Sequence, residues 1–208
     1  MKIVEPSYEI LTPIDGKDAL QTIEYCARTC YQSYDKQTED SYLKFIKMIV
    51  DRHHDACLEH YSFSVKFIVD RAIQNEIVRH RLASLCVESS RYCNYSKDKF
   101  GDEITVIKPF FYKEGTAEFE FWRKAMLESE RAYMFLVSNS SPEEARCVLP
   151  LSLKTEMVMT ANIREWRHFL TLRTSPFAHP QMRQVTIPLL KELKEKIPIV
   201  FDDIEIPD

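Results

Sequence analysis

The stretch Tyr61-Ser62-Phe63-Ser64-Val65-Lys66-Phe67-Ile68-Val69 puts Phe63, Val65, Phe67 and Val69 on one side and Ser62, Ser64 and Lys66 on the other. Side chains of an extended chain alternate between faces, so this spacing predicts a half-buried strand. Directly after it, Arg71 to Ala83 takes on helical character through Ile73 and Ile77. Leu153, Thr155, Met157 and Met159 alternate as the first stretch does and predict a second strand. Asn162 then opens a helix, with Glu165 three residues on as its capping-box partner.

The rest of the chain adds helices around these strands. Asp18 to Cys30 has helical spacing through Leu20, Ile23 and Ala27, and Asp40 to Arg52 through Leu43, Ile46 and Val50. Ile104 to Ile107 is a short predicted strand that ends before Pro109. Thr116 to Val137 is a long amphipathic helix carrying Phe119, Trp122, Met126, Tyr133 and Leu136. Ser141-Pro142-Glu143-Glu144 has a capping hydroxyl, a proline at the first helical position and acids in the first turn, and Pro150 keeps that helix short. A last helix runs from about Pro180 to Lys196, interrupted by Pro188 and stopped by Pro198. Helices and strands mixed in this order predict an α+β class. With no repeat, low-complexity tract or flexible linker, one domain over residues 1–208 is expected.

Composition removes several function classes. Apolar residues make up 45% of the chain, enough for a core, and 28 basic against 32 acidic residues leave a net charge of −4. Such a chain has no global attraction to nucleic acid or anionic lipid, so a polyanion must meet a local cluster of arginines. No apolar run approaches the roughly 20 residues of a membrane span, and Met1-Lys2-Ile3-Val4-Glu5-Pro6 lacks the pattern of a signal peptide. The six cysteines contain no Cys-x-x-Cys pair, which reads as reduced thiols in a cytoplasmic protein. Gly16, Gly101 and Gly115 are the only glycines, so neither a Rossmann fingerprint nor a P-loop can form. Phosphorylated ligands would have to be held by side chains, and arginine is suited to that.

Three groups of residues have chemistry to offer. Arg79-His80-Arg81 followed by Glu88-Ser89-Ser90-Arg91-Tyr92 is the densest; its plain alternative is a solvated helix face with pairs such as Glu76 to His80. Flanking Ile77, Val78, Leu82, Ala83 and Leu85 argue that the segment is partly interior. Asn162-Ile163-Arg164 with His168 and Arg173 is the second; taken alone it reads as a capped helix with surface arginines, Arg164 and His168 sharing a face. His53-His54 with Glu59-His60 is the third. Read as metal ligands, His54, Glu59 and His60 match no standard zinc spacing, and no Gly-x-Ser-x-Gly elbow offers a nucleophile.

Arg79-His80-Arg81, seven residues, Ser89, one residue, then Arg91-Tyr92 resembles the signature of the flavin-dependent thymidylate synthases, the ThyX class. Three further elements resemble that family in order and spacing: His54-x4-Glu59-His60, Arg146-x-x-Leu149-Pro150, and Asn162-x-Arg164 with His168 and Leu172-Arg173. The resemblance covers residues 54 to 173. It implies an α+β subunit with a twisted, mainly antiparallel sheet packed by helices, assembled as a homotetramer with shared active sites. It implies FAD held by His54, Arg79, His80, Arg81, Glu88, Asn162, Arg164 and His168. It also implies dUMP held by Glu76, Arg79, Ser89, Ser90, Arg91, Arg146 and Arg173, with NADPH as reductant and 5,10-methylenetetrahydrofolate as co-substrate. No metal, nucleic acid or membrane enters that scheme. The chain departs from many relatives at Cys86-Val87, where they have Asn-Glu and where its own acid, Glu88, falls one place later. Ala56 replaces a threonine and His168 an asparagine.

The implied reaction fits the residues. Methylating carbon 5 of uracil builds negative charge on the ring, and an arginine, with a pKa above about 12, cannot be the base. It can stabilise the charge, so Arg173 is expected as the catalytic residue. The absence of a convincing nucleophile agrees with a hydride supplied by reduced flavin. Two other classes stay open at this level: a nucleic-acid module stacking bases on Tyr92 and Tyr95, and a metal-dependent hydrolase using His54, Glu59 and His60.

Overall fold

A computed structural model describes residues 1–206 of the chain. Among the described residues six strands and seven α-helices follow in the order β1 (Lys2–Val4), β2 (Ser7–Ile10), α1 (Gly16–Arg28), α2 (Ser41–Asp51), β3 (Ser62–Asp70), α3 (Arg71–Ile77), β4 (Ser84–Val87), β5 (Thr105–Ile107), α4 (Ala117–Val137), α5 (Pro142–Ala145), β6 (Lys154–Asn162), α6 (Ile163–Arg173) and α7 (Pro180–Lys196). The class is α+β, as expected. A four-stranded sheet has the order β2-β3-β6-β4, and β1 pairs with β5 in parallel. Its central pair is antiparallel. The Ile163 amide donates to the Tyr61 carbonyl at one end, Ser64 and Thr160 share a hydroxyl contact of 2.7 Å, and the Arg71 amide donates to Leu153 at the other end.

Both predicted long strands bury one face. Phe63, Val65, Phe67 and Val69 are buried along β3, and Thr155, Met157, Met159 and Ala161 along β6. The chain divides into two units, each assembled from three stretches: Met1–Ser7, Phe67–Arg79 and Cys86–Val158 in the first, and Tyr8–Lys66, His80–Leu85 and Met159–Asp208 in the second. β3 and β6 contribute residues to both.

In the first unit, Tyr95, Ile104, Val106, Tyr133, Val137, Ala145 and Leu153 form a core closed by α4. Ser141 and Glu144 cap α5 reciprocally, satisfying the orphan amides at its start. In the second unit the Trp166 ring stacks on Phe63 at 5.0 Å, and its indole N–H donates to the Phe63 carbonyl at 3.2 Å. Tyr8 donates to Glu192 at 2.9 Å, and burial together with that carboxylate raises its phenol to about 12. Gly16 is required where it stands, because a β-carbon there would collide with the carbonyl of Lys196.

Four expectations change. The helix expected over Arg71 to Ala83 ends at Ile77, and the chain turns at Val78 and Arg79 before entering β4, a short strand the periodicity did not reveal. Strands β1 and β2 were likewise not anticipated; both are three or four residues long and half-exposed. The last helix runs through Pro188 unbroken: Pro188 faces solvent, while Val185, Leu189, Leu190 and Leu193 are buried and hold both sides of it in place. Burial of that stripe outweighs the backbone bond that proline removes. Finally, Asn162 caps α6 by accepting from the Glu165 amide, but the Glu165 carboxylate does not close a capping box.

Candidate functional site

The Glu165 side chain goes to His80 instead. Glu165 lies on the buried side of α6 with Trp166, Phe169 and Leu170, and its Oε1 is 3.3 Å from His80 Nδ1. The other ring nitrogen, Nε2, accepts from Arg173 Nε at 3.0 Å. His80 is 6% exposed and Glu165 5% exposed, whereas Arg173, in the last turn of α6, is only half-buried. A guanidinium has donors and no acceptor, so Nε2 carries no proton and the neutral ring holds it on Nδ1, donating to Glu165. Burial, then the charges of Arg173 and His168, lower His80 to about 4. Burial raises the Glu165 carboxyl above its ordinary range, with His168 opposing. The His168 and Phe169 rings meet the imidazole edge-on, at 5.8 and 4.9 Å.

Of the remaining expected flavin residues of the second unit, Asn162 is half-buried with its side-chain oxygen committed to the start of α6, and the others point outward. Arg81, Arg164 and His168 are exposed, as is His54. Arg164 and His168 share the outer face of α6, and Arg164 is paired with Glu59 at 2.6 Å. His54 and Arg164 line one cleft of about 940 Å³, with Arg28, Arg52 and His53 adding cationic or titratable groups and Phe45, Met48 and Ile49 an apolar wall. Arg28 and Arg52 are contributions the sequence reading missed. Arg28 is held in place there by Glu24 at 2.6 Å and by the Phe45 ring at 4.7 Å. The helical spacing of Arg28 four after Glu24 was the available signal.

The first unit holds most of the expected nucleotide residues. Arg79, Arg91 and Arg146 are all exposed, and Glu76, Ser89 and Ser90 are half-buried. Ser89 Oγ accepts from the Arg91 amide at 3.3 Å, and the Ser89 carbonyl from Tyr92 and Cys93, which shapes the turn carrying Arg91. The Arg91 guanidinium lies side-on to Glu143, with Nε to Oε1 at 2.9 Å and Nη2 to Oε2 at 3.3 Å. Glu143 stands on α5 three residues before Arg146, so Arg91 and Arg146 are gathered around one short helix. Glu88 is committed inside this unit: Oε1 accepts from Tyr95 at 2.8 Å and Oε2 from Lys154 at 3.0 Å. Tyr95 is buried against Phe100 and Tyr133, which removes it as a stacking platform for bases. Among the described residues no group of three or more His, Cys, Asp or Glu side chains is arranged to hold a metal ion, and the Glu59 carboxylate is taken by Arg164. Nor is any helix there long and apolar enough to cross a membrane.

Fold and side chains together define an α+β protein that carries exposed guanidinium groups on its loops and helices, Arg79, Arg81, Arg91, Arg146 and Arg164 among them. The family described as thymidylate synthase complementing protein matches residues 13–199, and the chain belongs to it. It is similar to proteins named flavin-dependent thymidylate synthase. One from Mycobacterium sp. (strain KMS) is 34% identical over 98% of this chain and 86% of its own length. One from Pyrococcus abyssi is 31% identical, covering 85% and 75%, and one from Corynebacterium glutamicum 29%, covering 94% and 82%. A crystal structure of a UMP/dUMP methylase from Streptomyces cacaoi, bound with 5-Br dUMP, shares the fold at a TM-score of 0.78 and 19% identity, over 97% of this chain and 96% of that one.

Proposed function

We propose that this protein is a flavin-dependent thymidylate synthase, converting dUMP to dTMP with methylenetetrahydrofolate as one-carbon donor and NADPH as reductant through FAD. Family membership over residues 13–199 and relatives of that name matched over most of their length support the reading. The structural observation that carries it is Arg173, a permanently charged donor held through Nε by a neutral, buried histidine.

The residues suit the cofactor. A cleft of about 940 Å³ with an apolar wall and cationic groups has the size and character that a large planar ligand bearing a pyrophosphate requires. His54 and Arg164 would meet FAD from that cleft, with Arg79, Arg81, Asn162 and His168 holding the rest of it. His80 and Glu88, whose side chains are engaged within the chain, would contribute through backbone and shape, and Asn162 would offer its amide nitrogen while its oxygen caps α6. When bound, FAD supplies the hydride that the reaction needs.

On the nucleotide side, Arg79, Arg91 and Arg146 would take the phosphate dianion, with Glu76, Ser89 and Ser90 completing the hydrogen bonding. Arg173 would stabilise negative charge on the pyrimidine as carbon 5 becomes nucleophilic. A preorganised donor of this kind is worth roughly 3–4 kcal/mol in the transition state. A homotetramer sharing active sites, one catalytic domain per chain and a cytoplasmic location complete the proposal.

Two measurements test it. Purified protein should be yellow and should release tritium from dUMP labelled at carbon 5 only when FAD is present. Arg173→Ala should keep its flavin and lose turnover by about 100-fold or more. A colourless protein with steeply salt-dependent nucleic-acid binding would overturn the assignment, and a fully active Arg173→Ala would remove that residue from the chemistry.

A further inference from the structure

Glu165 stands outside every group of ligand-binding residues set out above, yet it is among the few buried charged side chains of the second unit. Its partner His80 has both ring nitrogens engaged, by Glu165 on one side and Arg173 on the other. We propose that Glu165 and His80 are a positioning pair for Arg173, the carboxylate fixing the histidine tautomer and the bare Nε2 fixing the plane of the guanidinium. The inference rests on Arg173 being the group that meets the pyrimidine.

A neutral imidazole has one donor and one acceptor, and which nitrogen does which is set by what the other nitrogen meets. A carboxylate at Nδ1 accepts the proton there and leaves Nε2 as the acceptor. Without an acceptor at Nδ1, the ring would be able to carry its proton on Nε2, facing the Arg173 Nε–H donor to donor, and the 3.0 Å bond would be lost. Arg173 is also anchored through its backbone, whose carbonyl accepts from the Thr186 hydroxyl of α7 at 2.8 Å. One anchor at the carbonyl and one at Nε restrict the side chain between them to a narrow set of rotamers. A group that stabilises charge on a reacting ring acts only when so oriented, and displacement by about 1 Å is enough to cost about 100-fold in rate. Burial of His80 and Glu165 excludes the water that would otherwise satisfy either nitrogen.

The test uses flavin-loaded protein and two substitutions at one position. Glu165→Leu removes the acceptor; Glu165→Gln keeps an oxygen for the Nδ1 proton. Glu165→Leu should lower kcat by about ten-fold or more with flavin content and KM for dUMP unchanged, and Glu165→Gln should retain most of the rate. Nitrogen chemical shifts of 15N-labelled His80 should place the proton on Nδ1 in the wild type and Glu165→Gln, and partly on Nε2 in Glu165→Leu. A wild-type ring protonated on Nε2 overturns the proposal without any variant. So does Glu165→Leu at full rate, or a Glu165→Gln as impaired as Glu165→Leu. Activity surviving in Arg173→Ala would instead refute the underlying assignment. An inactive Arg173→Ala beside a fully active Glu165→Leu would refute the pairing alone.

Discussion

Replacing Arg28 with methionine strands a carboxylate inside the second unit. Glu24 is fully buried, and its Oε1 accepts three hydrogen bonds: from Arg28 Nε at 3.0 Å, Arg28 Nη2 at 2.6 Å and the Ser41 hydroxyl at 2.7 Å. Its other oxygen has no hydrogen-bond partner. In Arg28→Met only Ser41 remains, and methionine recovers the packing of the arginine stem but none of its donors. Breaking a buried ion pair from one side costs about 3–5 kcal/mol. Losing the guanidinium over the Phe45 ring adds of the order of 0.5–1 kcal/mol. In a chain of 208 residues each kcal/mol moves the melting midpoint by about 2–4 °C, so a fall of roughly 7–24 °C is expected. Calorimetry on the flavin-free protein is the suitable assay, because bound cofactor adds its own stabilisation. A second arm combines Arg28→Met with Glu24→Leu; removing both charges should restore most of the loss. A single variant within about 1 kcal/mol of wild type, or a double variant no better than the single, would refute the reasoning.

His80 makes stability depend on acid. Its folded value of about 4 lies below the ordinary 6.5, so the unfolded chain binds the proton more readily. The stabilisation is complete above about pH 6.5 and is lost as pH falls toward 4, by up to roughly 3 kcal/mol. Melting midpoints between pH 4 and 7 should drop more steeply in the wild type than in His80→Gln, and parallel curves would contradict this. Glu143 competes with phosphate for Arg91 in the proposed nucleotide site. Glu143→Gln should therefore lower KM for dUMP by about two- to five-fold with kcat unchanged, the scale of an exposed ion pair. An unchanged or raised KM in steady-state assays would show that the pair does not guard the site.

The strands and helices that could be read from sequence are those whose pattern is local. β3 and β6 each alternate over nine residues with one face buried, and α5 and α6 carry their N-cap residues at the expected positions. β1 and β4 are short, and what makes each a strand is a partner far along the chain: Lys2 pairs with Thr105, and the Glu88 amide just beyond β4 donates to Glu156. No local spacing announces such a partner. The same holds for the site. Exposed arginines were legible because their motifs are local, and the family resemblance named them. Glu165 was readable only as a cap, since its use by His80 depends on residues 85 positions apart being brought together. One sign was present: an acid on the apolar stripe of α6, four residues before Phe169, where a solvated carboxylate has no place.

The close passage of the Lys196 carbonyl over Gly16 bears on when the second unit can form. Its first and last stretches meet at that point and again where Tyr8 reaches Glu192, 184 positions away. Contacts of such long separation demand that most of the chain be in hand before they return any stability, so this half of the protein completes its folding late. On a ribosome, the contacts of Gly16 and Tyr8 would wait until α7 emerges. A chain cut short before α7 would lack both the Lys196 carbonyl that passes Gly16 and the Glu192 carboxylate that Tyr8 reaches.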